Sequence, residues 1–530
     1  MSGKSIPWPA ILLAVVLSSA QAAMPSVAPP SSALERQLDA PLNCAGRPLQ
    51  LDAEARAALQ AFYAPHRFAR LWDAGRLPRL LDELEQLADD GLDPQHYPLD
   101  ALRHAAGSAA CRDLLASHAY LRALQHLAQG RLDPQSIEPR WHAPGTPPPP
   151  RGPGALLDLA QRGLDDLPGA FAAARPALPR YHELRRHYAA QRRQPLPHWE
   201  PLPAGPLLRP EQHDPRVPAL ARRLAAGGYL DAGQAASAGT HFSAELVAAL
   251  RRFQQRHHVQ ADGVLGPATL AELNVSAQTR RDQLRVNLER WRWLARELEP
   301  DLLLVDIAGA ELGYYRDGVL RWHSRTQVGR AERPTPQLKS RIGHLTLNPT
   351  WTVPPTIFRQ DKLPEIRRDP AYLQHHHLQV LDHAGNPLDP QDIDWANPGA
   401  ILLRQSAGAH NALGRVAIRF ANPFAVYLHD TPSQALFDKL PRVFSSGCVR
   451  VEGALQLMAL LLEDVAPAQR ARIDNWFASG ETRNVALARP LPILLAYWTA
   501  DSDSDGVRYR PDLYHLDAAL LAALQRADAH

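Results

Sequence analysis

Cysteine is scarce: 530 residues hold three, Cys44, Cys111 and Cys448. One must therefore stand unpaired. No CxxC pair and no cysteine–histidine cluster is present, which argues against a structural zinc site, and neither metal nor cofactor is expected. Net charge is almost absent, at +3, so the footprint of a dedicated nucleic-acid binder is missing. Proline is plentiful, with 49 residues, but without a glycine repeat, which excludes collagen and suggests long ordered connections. Hydrophobic residues make up 45% of a chain long enough for several domains, so substantial cores can form.

Long apolar runs are also lacking, except at the start. Lys4, the run Ile6 to Val16 and the small residues Ala20-Gln21-Ala22 have the layout of an export signal, with cleavage expected after Ala22. The run is short for a transmembrane helix, although Ser18 to Ala23 would extend it into an uncleaved anchor. Any membrane association would come through this segment alone. Beyond the cytoplasmic membrane disulfides persist, and Cys44 and Cys111 either pair or lie as buried thiols. Cys448 stands alone far downstream, and a lone thiol in an oxidising compartment calls for a reason.

The expected organisation is a signal over 1–22, a linker over 23–48, a helical scaffold over 49–207, a three-helix unit over 208–275, a connecting helix over 276–300, a β-rich domain over 301–465 and a C-terminal extension over 466–530. The scaffold shows helical runs such as Leu77 to Leu87 and Ala119 to Leu127, interrupted by the proline-rich stretch Thr146 to Pro153. In the three-helix unit the apolar stripes are Val217, Leu220 and Leu224, then Leu246, Leu250 and Phe253, then Leu270 and Leu273. Gly263 suits a turn and Pro267 the first position of a helix. From Asp301 the period becomes two: Leu302 to Ile307, Leu312 to Tyr315 and Val319 to Val328 read as strands, with Asp317-Gly318 as a hairpin turn. Leu345 to Val353, Ala400 to Arg404, Arg415 to Phe420 and Ala425 to His429 continue the pattern. The polar stretch over about 354–399 is too long for a turn and reads as a capping lid.

Chemistry gathers near Cys448. A thiol is a few per cent ionised near neutral pH, so an imidazole that takes its proton raises its reactivity, and His429 is the natural base. Gly447 allows a sharp turn, and its amide with that of Cys448 suits the oxyanion of a tetrahedral intermediate. The bland alternative for an arbitrary cysteine is a small buried residue near a strand end.

Two stretches resemble known families. Arg252-Phe253-Gln254 followed by Asp262 to Thr269 resembles the three-helix peptidoglycan-binding domain. His429, a spacer, and Ser445-Ser446-Gly447-Cys448-Val449-Arg450 resemble the L,D-transpeptidases, specifically the large periplasmic subgroup. Val328-Gly329-Arg330, Arg333 to Pro336, Leu347 to Pro355, Asn411 to Arg415 and Tyr427 to Pro432 look like the same subgroup. Ser446 departs from the broader family, where many members carry histidine before the glycine.

The resemblance implies a multi-domain α+β protein with a β-sandwich-like catalytic domain. Cys448 would attack the third residue of a tetrapeptide stem, release D-Ala and pass the acyl group to a second stem as a 3-3 cross-link, with His429 as base and then acid. Arg450 meets a substrate carboxylate or steadies the loop; Tyr427, Trp351 and Ser446 are pocket candidates, with ordinary strand packing as the alternative for the two aromatics. The orienting partner of His429 is either Asp430 or a backbone carbonyl. Peptidoglycan is the expected partner, along with other wall synthases; carbapenems would acylate Cys448; the site of action would be the periplasm. The competing functions are an L,D-carboxypeptidase or other cysteine peptidase using water, and a non-catalytic wall-binding protein.

Two further motifs are read blandly. His375-His376-His377 diverge along the chain and suit a solvated lid face. Asp501 to Gly506 imitates a calcium loop, but its flanks look like strands, making Asp505-Gly506 a hairpin turn.

Overall fold

A computed structural model describes residues 33–38, 42–44, 47–49, 51–104, 108–145, 153–369 and 371–526. The expected export signal and nearly all of the proline-rich stretch after Thr146 lie outside the described residues.

The scaffold is helical, as its periodicity implies. Helices Ala53–Tyr63, Arg76–Gln86, Ala109–Gln129 and Leu167–Ala174 bury Phe62, Tyr63, Leu114, Tyr120 and Phe171 in one core. Ser108 caps the long helix by accepting from the Cys111 amide. Cys111 is disulfide-bonded and Cys448 carries a free thiol; the side chain of Cys44 lies outside the described residues.

The scaffold is not a detached lobe. Its short strand β1 (Trp141–His142) pairs in parallel with a strand of the β-rich domain, Leu338–Leu347. Its last helix, Pro179–Arg193, packs with Ala277–Ala295 around Tyr181, Leu284, Trp291 and Trp498. The connecting helix Ala277–Ala295 is thus the hub of the molecule. Its Arg290 donates to Glu138 of the scaffold and to Asp517 near the C-terminus, and its fully buried Arg292 donates to Glu289 and to the Asp90 carbonyl. Removing one partner of such a buried pair costs about 3–5 kcal/mol, so these contacts fix how the three regions sit together.

The three-helix unit has helices Val217–Ala226, Ala244–Arg256 and Pro267–Leu273, plus a short turn of helix at Ala232–Ala236. Its phenylalanine–glutamine signature has a physical cause. Buried Gln254 donates to Asp262, to the Val264 carbonyl and to Thr269, and accepts the Gly263 amide. One amide side chain therefore ties the Asp-Gly turn to the following helix, and Gly263 supplies the positive φ of 75°. The unit docks on the β-rich domain: His257 stacks on Tyr509 at 5.2 Å, Arg256 pairs with Asp503, and Gln260 bonds the backbone of Asp438 and Leu440.

The β-rich domain comprises β2 (Leu302–Asp306), β3 (Glu311–Arg316), β4 (Val319–Gln327), β5 (Leu338–Leu347), β6 (Trp351–Thr352), β7 (Leu378–Leu381), β8 (Pro387–Leu388), β9 (Leu402–Gln405), β10 (Val416–Phe420), β11 (Leu428–His429), β12 (Val449–Val451) and β13 (Arg483–Ala496). The main sheet runs β10-β11-β12-β4-β3-β2-β13-β5-β1, and β10 also pairs with β5, so the sheet closes on itself. Closure leaves the two-residue β1 as the terminal strand and wraps one apolar core, with Leu303, Ile342, Leu345, Ile418, Leu428 and Val449 fully buried.

Two expectations change. Residues 466–530, read as an extension, supply β13, which lies between β2 and β5 in the centre of the sheet. The strand near Ala400 to Arg404 belongs with β6, β7 and β8 to a separate four-stranded sheet. That small sheet makes the insertion a mini-domain with its own core of Val353, Ile366, Leu373, Val380 and Leu403. The acidic hairpin forms as β14 (Ala500–Asp503) and β15 (Gly506–Tyr509). Its buried Asp501 is paired with Arg508 and Arg510, so arginines neutralise it.

Candidate active site

Strands β11 and β12 run parallel with Leu428 opposite Val449 and His429 opposite Arg450. Side chains alternate across a strand, so Leu428 and Val449 enter the core while His429 and Arg450 point to the other face; Tyr427 and Cys448 stand immediately before the two strands, and Tyr427 also packs against the core. The nineteen-residue separation in sequence collapses to His429 on one strand and Cys448 immediately before the strand paired with it.

The loop before Cys448 is held by hydrogen bonds rather than packing. Ser445 Oγ accepts the Gly447 amide at 3.1 Å and donates to the Cys448 carbonyl at 2.5 Å. Thr335 Oγ1 donates to the Gly447 carbonyl and accepts the Gly329 amide, both at 2.9 Å. Gly447 has a φ of 113°, which disfavours any residue with a Cβ. At Gly329 a Cβ would lie 2.2 Å from the Arg333 carbonyl oxygen, so the two loops can close only over glycine. The 328–335 motif is thus the cradle of the cysteine loop.

The Gly447 amide is committed to Ser445 in this structure. Among the described residues, the Cys448 amide makes no hydrogen bond, and it is the donor left for an oxyanion.

His429 is buried, and its Nδ1 lies 2.5 Å from the Asp430 carbonyl oxygen. The backbone carbonyl, not the carboxylate, orients the ring; the Asp430 carboxylate instead accepts the Arg415 amide at 2.9 Å. Burial pushes the imidazole down to about 3, helped by the Arg450 and Arg419 guanidinium groups and opposed by the Asp430 carbonyl. Burial also pushes the Cys448 thiol up, against a backbone hydrogen bond from Tyr427 and the same two guanidinium groups. Thiol and imidazole are both neutral at rest. The sulfur lies 3.9 Å from the Ala425 carbonyl oxygen.

The remaining predicted residues divide. The Tyr427 ring lies 5.7 Å from that of His429. Arg450 donates to Gln327, its cross-strand partner on β4, at 3.0 Å. Ser446 Oγ accepts from Arg333 at 3.0 Å, and Arg333 with Arg330 pairs with Asp361 of the lid. Trp351 stands in β6 of the lid's small sheet and packs on the lid core. Arg419 was missed: it is opposite Tyr427 on β10 and stacks its guanidinium 3.8 Å from that ring. A strand signal alone gives no reason to single out one arginine; only the register does. Among the described residues no cluster of His, Cys, Asp or Glu could hold a metal, and no helix is long and apolar enough to cross a membrane.

Three stretches of the chain match models of known families. Residues 57–187 match the model of a scaffold domain, 213–273 that of a "Putative peptidoglycan binding domain", and 300–469 that of the L,D-transpeptidase catalytic domain. A curated protein of Haemophilus influenzae, named "Putative L,D-transpeptidase", is 36% identical over 241 residues. That match covers 44% of this chain and 48% of the relative, so it spans about half of the relative's length. Among solved structures, an L,D-transpeptidase from Mycobacterium smegmatis is 15% identical, with a TM-score of 0.17, over 37% of this chain and 58% of that one. One from Xylanimonas cellulosilytica is 16% identical, with a TM-score of 0.18, over 56% of this chain and 99% of that one.

Proposed function

We propose that this chain, which belongs to the L,D-transpeptidase family by its residues 300–469, forms 3-3 cross-links in peptidoglycan through a thioester on Cys448. The observation that carries the reading is the pairing of β11 with β12, which brings a free thiol close to a carbonyl-oriented imidazole.

With Nδ1–H donated to the Asp430 carbonyl, the lone pair of His429 is on Nε2, the tautomer a base needs. Cys448 attacks the carbonyl of the third residue of a tetrapeptide stem while His429 takes the thiol proton. The oxyanion then meets the Cys448 amide, joined by the Gly447 amide if it leaves Ser445. A donor of this kind is worth about 3 kcal/mol in the transition state. His429 returns the proton to the departing D-Ala amine, and an amine of a second stem resolves the thioester.

The peptidoglycan-binding unit, docked beside the loop that leads to Cys448, supports an insoluble wall polymer as substrate. Such a substrate implies action in the periplasm, with export by the N-terminal segment and, as for other members, acylation of Cys448 by carbapenems.

Purified protein incubated with tetrapeptide-containing wall fragments separates the alternatives by mass spectrometry. Cross-linked dimers support transfer, tripeptides alone support a carboxypeptidase, and neither product supports a binding protein. Cys448→Ala abolishes every product; persistence of product refutes the nucleophile.

A further inference from the structure

Arg419 carries a charge that the proposed chemistry does not use. It faces the site from β10, next to Tyr427, with His344 of β5 on its other side. The guanidinium carbon lies 3.8 Å from the Tyr427 ring centroid, a cation–π contact that holds the group in place without neutralising it. Among the described residues no carboxylate lies within ion-pair distance of Arg419 or of Arg450. Asp430, next to His429 in sequence, has its carboxylate engaged at the Gly414–Arg415 turn, where a Cβ on Gly414 would collide with it. Arg450 is tied to Gln327 through one Nη while its Nε has no partner among the described residues, and Arg419 is held by the Tyr427 side chain, which leaves Arg419 without a tie to any neighbouring strand and able to meet a ligand. Both arginines act on the Cys448 thiol, so Arg419 lies within electrostatic reach of the reacting sulfur.

The donor stem supplies the missing anion. Its departing D-amino acid carries a free carboxylate on the carbon bonded to the scissile nitrogen. In a longer stem that position is a neutral amide. We propose that Arg419 binds the free carboxylate of the departing residue and so selects donor stems that end one residue beyond the scissile bond. The inference rests on the transpeptidase reading and names its donor-specificity residue. A fixed guanidinium fork opposite a carboxylate gives a bidentate, charge-assisted contact, and a site built for it discriminates strongly against a neutral isostere.

The test compares a disaccharide-tetrapeptide with its C-terminal amide on the wild-type chain, Arg419→Met and Arg419→Lys. Thioester formation on Cys448 and kcat/KM are both followed. The wild type is expected to prefer the free acid by about 30-fold or more, and Arg419→Met to lower the ratio to about threefold or less by losing only the acid's rate. Arg419→Lys restores part of the preference. Equal loss on both substrates would mean a structural role, and an unchanged ratio would mean another group reads the carboxylate; either overturns the inference. If the wild type acylates with neither substrate, the transpeptidase reading itself fails, and this inference with it.

Discussion

His429 Nδ1 lies 2.5 Å from the carbonyl oxygen of the next residue, Asp430, in the same chain direction. Adjacent side chains on a strand point to opposite faces, so the Asp430 carboxylate is carried away to the Gly414–Arg415 turn while its carbonyl stays within reach of the ring. The arrangement fixes the tautomer without placing a buried negative charge beside a buried neutral imidazole, which would cost several kcal/mol if left unpaired. It also has consequences for pH.

Above about pH 3 the imidazole is neutral, and the thiol stays protonated through and beyond its ordinary range. No thiolate–imidazolium pair is stored at rest. Iodoacetamide alkylation of Cys448 should therefore keep accelerating past pH 9, with no shoulder near 6.5, and His429→Asn should leave that profile nearly unchanged. A fast plateau below pH 7 would show a preformed ion pair and overturn this picture.

Gly447→Ala isolates backbone conformation from packing. The nearest atoms to an added Cβ would be 3.6 Å away, so there is room, but a φ of 113° is hostile to alanine. The strain should cost about 1–3 kcal/mol and tilt the Cys448 amide. A drop in kcat of at least about tenfold is expected, with cooperative thermal unfolding retained. Unchanged kcat would mean that the loop geometry does not serve the reaction.

Asp361 joins the lid to the active-site loops through Arg330 and Arg333, and Arg333 reaches Ser446 beside Gly447. These groups are partly exposed, so the pairs are worth about 1 kcal/mol, far less than buried ones. Asp361→Asn should raise KM for wall fragments by roughly threefold to tenfold while Tm hardly moves. An effect on Tm alone, with KM unaltered, would make the contact structural.

The buried histidines of the docked three-helix unit set a pH limit. Burial, reinforced by Arg280, pushes His257 down to about 3, and burial pushes His258 down to about 4. In the unfolded chain both titrate near the ordinary value of 6.5, so between 6.5 and 4 the unfolded state binds more protons. Stability then falls as pH falls, by up to ~1.4 kcal/mol per pH unit for each group. Urea titrations at pH 7 and pH 4.5 should show the loss, and His257→Gln should reduce it. An identical pH dependence in that variant would remove His257 from the account.

Legibility from sequence followed the locality of the cause. The helix stripes, the Asp317-Gly318 turn and the Gln254-centred turn were readable because neighbours in sequence decide them. Cys448 and His429 stand out in the sequence as a lone thiol and a nearby imidazole, and their closeness in the fold comes from the β11–β12 pairing. Arg419 does not stand out, since its significance comes from its contact with Tyr427, just before the strand that pairs with β10. Trp351 looked like a pocket residue, but pairing with Gln405 draws it into the lid. Orientation of His429 by a carbonyl was one of two open choices, because backbone acceptors leave no mark on side-chain identity.

The same limit applies to the C-terminal segment, whose role can be tested by shortening the chain. Nothing local in Arg483–Ala496 says that it belongs between β2 and β5, yet Ile493, Leu494 and Leu495 are fully buried there. Without β13 both neighbours would expose a hydrogen-bonding edge and the closed sheet would open. A chain ended at residue 470 keeps the whole stretch matching the catalytic family, with His429 and Cys448, but should aggregate or lack a cooperative unfolding transition. Ile493→Ala in the full chain should cost about 2–5 kcal/mol in urea unfolding and spare kcat. A soluble, cooperatively unfolding chain of 470 residues that still acylates Cys448 would show that β13 is dispensable, contrary to its central place in the sheet.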